Sequence, residues 1–150
     1  MLLLGSDHGG FPLKEAVKEL LKKKGIEFED CGTKNAESVD YPDFGEKVAS
    51  GVSTGKAEKG LLFCGTGIGM SIVANKYPRV RAALATDVFM ARMAKEHNNA
   101  NILVLGGRVL DCEKAKRMVA AWLDAVFEGG RHQERLDKIE LLERELCKKV

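Results

Sequence analysis

The sequence predicts an α/β fold: one doubly wound domain, a five-stranded parallel sheet with helices on both faces. Three observations predict it. Short apolar runs alternate with longer amphipathic stretches along the whole chain. Two of those runs end in glycine-rich turns, Gly5-Ser6-Asp7-His8-Gly9-Gly10 and Cys64-Gly65-Thr66-Gly67-Ile68-Gly69, as strands do when they feed a helix in a βαβ unit. A length of 150 residues suits one domain, 1–150, and no repeat, linker or low-complexity segment divides it.

Leu2 to Leu4 reads as the first strand. Pro12 suits the first turn of a helix that carries Leu13, Val17, Leu20 and Leu21 on one stripe. Lys22, Lys23 and Lys24 suit its negative end, and Gly25 the position after it. Ile26 to Cys31 is the second strand, and Gly32 to Asp40 a polar loop. Tyr41-Pro42 opens a helix to about Val52, with Phe44, Val48 and Val52 four apart. Leu61 to Cys64 is a buried parallel strand. The helix after its glycine turn, starting at Met70, reaches Tyr77 and stops at Pro78. Arg81 to Ala85 is the fourth strand, and Asp87 caps a helix to about His97. The polar Asn98-Asn99-Ala100-Asn101 precedes the fifth strand, Ile102 to Leu105. Asp111 starts a helix carrying Ala115, Met118, Val119, Trp122 and Val126. Gly129-Gly130 ends it, and a last helix runs from about Arg131 to Lys148. Five strands in this length suggest the flavodoxin-like order 2-1-3-4-5.

Composition excludes several functions. Lys and Arg number 24 against 22 Asp and Glu, a net charge of +2, so nothing in the overall charge favours nucleic acid. No segment approaches the ~18 consecutive apolar residues of a membrane span. The start has no basic region and meets Asp7 too early for a signal peptide. Cys31, Cys64, Cys112 and Cys147 are widely spaced with no CxxC pair, which favours reduced thiols in the cytoplasm over a disulfide framework or a metal site.

In the expected order, the chain reverses direction between strands one and three, and ligands of such sheets bind there. That crevice gathers Asp7, His8, Cys64 and Thr66. A helix start beside a thiol favours its thiolate, and the N–H groups of the glycine loop suit an oxyanion. The set can move a proton next to a carbonyl. Arg131 and Arg135 share one helix face. Arginines in a first helical turn oppose the helix dipole, which hints at an anion partner. His97 and Arg131 lie near the amino edge of the sheet, opposite the crevice, so a partner subunit is expected to supply them. Leu136, Ile139, Leu142 and Leu146 form a stripe on the last helix that suits packing on its own domain or on a neighbour.

With these pieces in place, the chain resembles the type B ribose-5-phosphate isomerase family, which includes the galactose-6-phosphate isomerase subunits. The resemblance rests on seven blocks in order along nearly the whole chain: Ser6 to Gly10, Asp40-Tyr41-Pro42, Cys64 to Ser71, Ala74-Asn75-Lys76, His97 to Asn101, Gly106 to Val109, and Glu128 to Arg135. It implies a Rossmann-like fold, a homodimer with active sites shared between subunits, and neither metal nor organic cofactor; the stripe on the last helix favours a dimer contact through that C-terminal helix, and whether dimers pair into a tetramer stays open. It implies interconversion of D-ribose 5-phosphate and D-ribulose 5-phosphate through a cis-enediolate. By that resemblance Cys64 is the base for the C2 proton. Thr66 and His97 open the furanose ring, assisted by Asp7. Gly65, Gly67, Ile68 and Gly69, with Ser71 near, cradle the enediolate. Tyr41 and Asn98 contact the sugar, and Arg131 and Arg135, with His8 and Arg108, bind the phosphate. Some members carry Ser in place of this Cys and Glu in place of Ile68; Cys64 and Ile68 place this chain with the thiol-base branch. Two other functions compete: a hexose-6-phosphate isomerase acting on allose or galactose 6-phosphate, and a non-catalytic module binding a sugar phosphate or nucleotide.

Overall fold

The computed structural model describes residues 1–148; the last two positions of the expected 1–150 domain lie outside the described residues. Five strands form one sheet: β1 (Leu2–Ser6), β2 (Phe28–Asp30), β3 (Lys59–Cys64), β4 (Ala82–Leu84) and β5 (Ile102–Gly106). Between and after them run α1 (Phe11–Lys23), α2 (Tyr41–Ser53), α3 (Ile68–Ala74), α4 (Val88–Glu96), α5 (Cys112–Asp124) and α6 (Arg131–Cys147). Every strand pair is parallel. The expected α/β class, strand count and alternation are present. Helix α3 starts two residues before the expected Met70, directly on the glycine turn.

The strand order is β2-β1-β3-β5-β4, not the expected 2-1-3-4-5. All of β5 is buried, whereas every residue of β4 is only partly buried. A run buried on both faces belongs inside a sheet, and a three-residue strand suits its edge. Parallel crossovers are right-handed, so the step back from β4 to β5 carries α4 to the face of α1 and α5. Ala91 and Ala94 of α4 accordingly share a core with Leu13, Val17, Met118 and Trp122. The opposite face packs Val48, Ala49 and Val52 of α2 and Met70 and Ala74 of α3. Successive strand residues serve opposite faces: Leu61 and Phe63 join the first core, Leu62 and Cys64 the second.

Two polar devices hold functional loops in place. The Lys14 side chain is fully buried, with its ammonium 2.6 Å from Asp30 Oδ2; Lys18 stands 2.9 Å from the same oxygen. The Gly32 N–H donates to Asp30 Oδ1 at 2.9 Å. Burial pushes the Asp30 carboxyl up, but the two ammonium groups and this N–H outweigh it and hold it at about 2. With Thr33 N–H donating to Ser6 O at 2.9 Å, the cluster pins the start of the 31–40 loop beside the end of β1. At the other end of the sheet, the buried Trp122 Nε1–H donates to Ala100 O at 3.2 Å and anchors the turn after α4.

The stripe on α6 is only partly used. Leu136 is buried, but Ile139, Leu142 and Leu146 are exposed, as is Leu141 beside them.

Candidate active site

The reversal between β1 and β3 survives the corrected order, and the crevice forms there. The Asp7 N–H donates to Phe63 O at 3.3 Å, tying the two turns together. Asp7 is buried, and its Oδ1 accepts the Gly10 N–H at 3.0 Å, so its carboxylate shapes the turn before α1. A third turn, after β5, closes the floor: Gly107 N–H donates to Cys64 O at 2.7 Å and Arg108 N–H to Gly65 O at 2.8 Å. A Cβ on Gly107 would stand 2.1 Å from Gly9 O, so only glycine lets this turn meet the β1 turn so closely.

Cys64 ends β3, buried, with its sulfur at the start of α3. The Gly67 N–H donates to Cys64 Sγ at 3.2 Å. That contact requires Gly67 to turn back at φ 83°, a left-handed conformation that favours glycine. Thr66 is exposed, and its Oγ1 accepts the Ile68 N–H at 3.2 Å, so the hydroxyl is held at the crevice mouth. The Tyr41 ring, from the start of α2, lies against Gly69, its Cζ 2.5 Å from where a Cβ would be. Ser71 follows one turn along α3, its N–H bonded to Gly67 O. His8 Nδ1 accepts the Val39 N–H at 3.2 Å. In the neutral ring this leaves the proton on Nε2, free to donate to a ligand. The Arg108 Nη1 lies 3.1 Å from where a Cβ on Gly65 would be, which puts its guanidinium beside the glycine loop of its own chain.

The remaining expected site residues form a second group. Asn101 O accepts the Gly60 N–H at 2.9 Å, so the turn holding Asn98 sits at the amino end of β3. His97 caps the C-terminus of α4 just before it. Arg131 and Arg135 are exposed on the first turns of α6, the helix whose His132 meets His97. The length of β3 puts this group about 15 Å from Cys64. His97 thus stands at the edge of the sheet opposite the crevice of its own chain.

Sequence reasoning missed two neighbours of His97. The imidazoles of His97 and His132 stack with centroids 4.2 Å apart and planes 12° apart. Glu128 Oε2 stands 3.3 Å from His132 Nε2 and 3.9 Å from His97 Nε2. Ligand atoms of all three fall within 4.8 Å of one another. Stacked rings point their in-plane lone pairs side by side, whereas a metal needs them to converge. Four-residue spacing was the available signal: His132 and Leu136 share one buried stripe, about 100° round the helix from the exposed Arg131 and Arg135.

A thiol, a buried carboxylate and a histidine gathered at the reversal of a doubly wound sheet define a small-molecule site, with proton transfer as its natural chemistry. The chain belongs to the Ribose/Galactose Isomerase family, whose model matches residues 2–139. It is 42% identical to ribose-5-phosphate isomerase B of Escherichia coli over 143 residues, 95% of this chain and 96% of that one. The solved structure of ribose-5-phosphate isomerase B from Clostridium thermocellum superposes with a TM-score of 0.94 at 52% identity, covering 97% of this chain and 98% of that one. The Mycoplasma genitalium ribose-5-phosphate isomerase B with bound ribulose-5-phosphate superposes with a TM-score of 0.92 at 40% identity, covering 96% of each chain.

Proposed function

We infer that this chain is an aldose–ketose isomerase that interconverts D-ribose 5-phosphate and D-ribulose 5-phosphate. The observation that carries the reading is the Cys64 sulfur, held by the Gly67 N–H at the reversal of the sheet beside Asp7. Family membership and a ribulose-5-phosphate-bound relative supply the substrate class.

The reaction runs in two stages. Ring opening moves the proton of the anomeric hydroxyl to a base and gives a proton to the ring oxygen; Thr66, Asp7 and His97 do this work. The Cys64 thiolate then takes the C2 proton, and the electron pair moves into the C1–C2 bond, leaving a cis-enediolate. The backbone from Gly65 to Gly69, with Ile68 in its exposed first helical turn and Ser71 near, stabilises that charge. A proton passes from O2 to O1, and the Cys64 thiol returns its proton to C1, which gives the ketose. No oxidant, metal or organic cofactor enters the balance. Tyr41 and Asn98 hold the sugar. His8, Arg131 and Arg135 bind the phosphate, with Arg108 beside the glycine loop of its own chain.

A homodimer completes each site, because His97, Asn98, Arg131 and Arg135 sit at the edge opposite their own crevice. The exposed leucines of α6 supply apolar surface for association, and dimers can pair into tetramers through what remains. No helix among the described residues is long and apolar enough to cross a membrane. Four free cysteines, one of them exposed, fit a reducing cytoplasm.

The test is an assay of the purified chain, without added metal, on ribose 5-phosphate beside allose 6-phosphate and galactose 6-phosphate. Ketose should form fastest from ribose 5-phosphate. Turnover of a hexose phosphate alone moves the substrate to a six-carbon sugar, and silence on all three with intact folding leaves a binding module.

A further inference from the structure

We infer that His132 and Glu128 are positioning residues that hold the His97 imidazole in the orientation that opens the sugar ring in a partner's crevice. This rests on His97 being the ring-opening group.

His97 sits where little else would orient it. It caps the C-terminus of α4, its N–H bonded to Met93 O at 2.9 Å, and its side chain is 38% exposed. A side chain at a helix end in open solvent samples several rotamers, and each misplaced one removes the group from the reaction. The face of the His132 ring limits that freedom. His132 itself is anchored: its side chain is 7% exposed, and Glu128 Oε2 lies 3.3 Å from its Nε2. Glu128 is tied to the same helix end, its N–H donating to Glu96 O at 3.0 Å. The left-handed pair Gly129 (φ 66°) and Gly130 (φ 54°) then turns the chain so that His132 faces inward from the first turn of α6, its N–H bonded to Gly129 O at 3.0 Å. The chain of support runs from Glu96 backbone to Glu128 carboxylate to His132 ring to His97 ring.

Arg131 and Arg135 stay exposed, about 100° round the helix from the buried His132 and Leu136. Loosening His132 therefore disturbs the ring-opening group more than the phosphate contacts. The two stages of the reaction separate this effect from general damage. Ribulose 5-phosphate has no ring to open, so exchange of its C1 hydrogen with D2O reports Cys64 and the enediolate alone. Turnover of ribose 5-phosphate needs both stages.

The experiment compares His132→Ala, Glu128→Ala and His97→Ala in the full-length protein. Ribose 5-phosphate turnover should fall about tenfold or more in His132→Ala and several-fold in Glu128→Ala, as misplacement of a reacting group does. C1 exchange of ribulose 5-phosphate should stay within about twofold of the unaltered protein in both. Glu128 is 52% exposed, so its replacement tests the inference even if His132→Ala does not fold. A parallel fall in turnover and exchange, or no fall in either, overturns the positioning role. His97→Ala is the reference. If it loses both activities equally, the ring-opening reading fails; if it shows the split and the other two do not, only the positioning inference fails.

Discussion

Replacing Cys64 with alanine abolishes most turnover while substrate still binds. Removing a general base costs roughly 10²- to 10⁴-fold, so a thousandfold drop in kcat is expected, about 4 kcal/mol of transition-state stabilisation. KM should change by no more than about threefold, because the phosphate contacts are untouched. The same variant should lose C1 hydrogen exchange on ribulose 5-phosphate, which reads the base directly. Cys64→Ser keeps the shape and an acceptor for the Gly67 N–H, yet a serine hydroxyl ionises far less readily than a thiol. It should rescue the fold and not the rate. Turnover of Cys64→Ala within threefold of the unaltered protein would remove the sulfur from the mechanism.

Gly107→Ala carries the largest expected structural effect. Its Cβ would stand 2.1 Å from Gly9 O and 3.3 Å from Gly10 Cα, both backbone atoms that cannot rotate away. The β5 turn must then part from the β1 turn, carrying Arg108 from Gly65 and straining the Gly107 bond to Cys64 O. Overpacking of this kind costs about 1–3 kcal/mol or more, a fall of roughly 3–10 °C in Tm for a chain of this size. Activity should fall by more than tenfold beyond any loss of folded protein, since misplacement by ~1 Å at the floor of the site moves Asp7 and Cys64 apart. An unaltered Tm with native turnover would show that the turns do not meet as described.

The legibility of this protein in its sequence follows the range of the forces involved. Local signals carried well. Asp87 accepts the Met90 N–H at 2.7 Å as the capping pattern predicts, and Tyr41-Pro42 opens α2 where expected. The crevice was legible because the β1–β3 reversal depends only on the first three strands. The order of the last two strands was not. Either order keeps a parallel sheet with right-handed crossovers, and chain order favours 4-5. What decides is burial: Ile102 to Leu105 is apolar enough for two buried faces, while the alanines of β4 offer little to cover. That contrast was visible in the sequence and was outweighed by the default topology.

The His97 neighbourhood was illegible for a different reason. His97 and His132 are 35 positions apart, and their stacking depends on where α5 ends and how two glycines turn the chain. His97 falls in no apolar pattern that would announce its direction, and the spacing of His132 from Leu136 turns His132 inward without saying what it meets. The stripe on α6 was readable as apolar, but its exposure beyond Leu136 emerges only when the rest of the domain leaves it uncovered.

Each active site pairs a Cys64 base of one chain with His97 of another. Mixing Cys64→Ala with His97→Ala after joint refolding tests it most directly. Each variant alone should be nearly inactive. Random pairing gives mixed dimers with one doubly damaged site and one intact site, so the mixture should recover about a quarter of the unaltered rate. A mixture as inactive as its components, with dimers shown to have exchanged, would contradict the shared site.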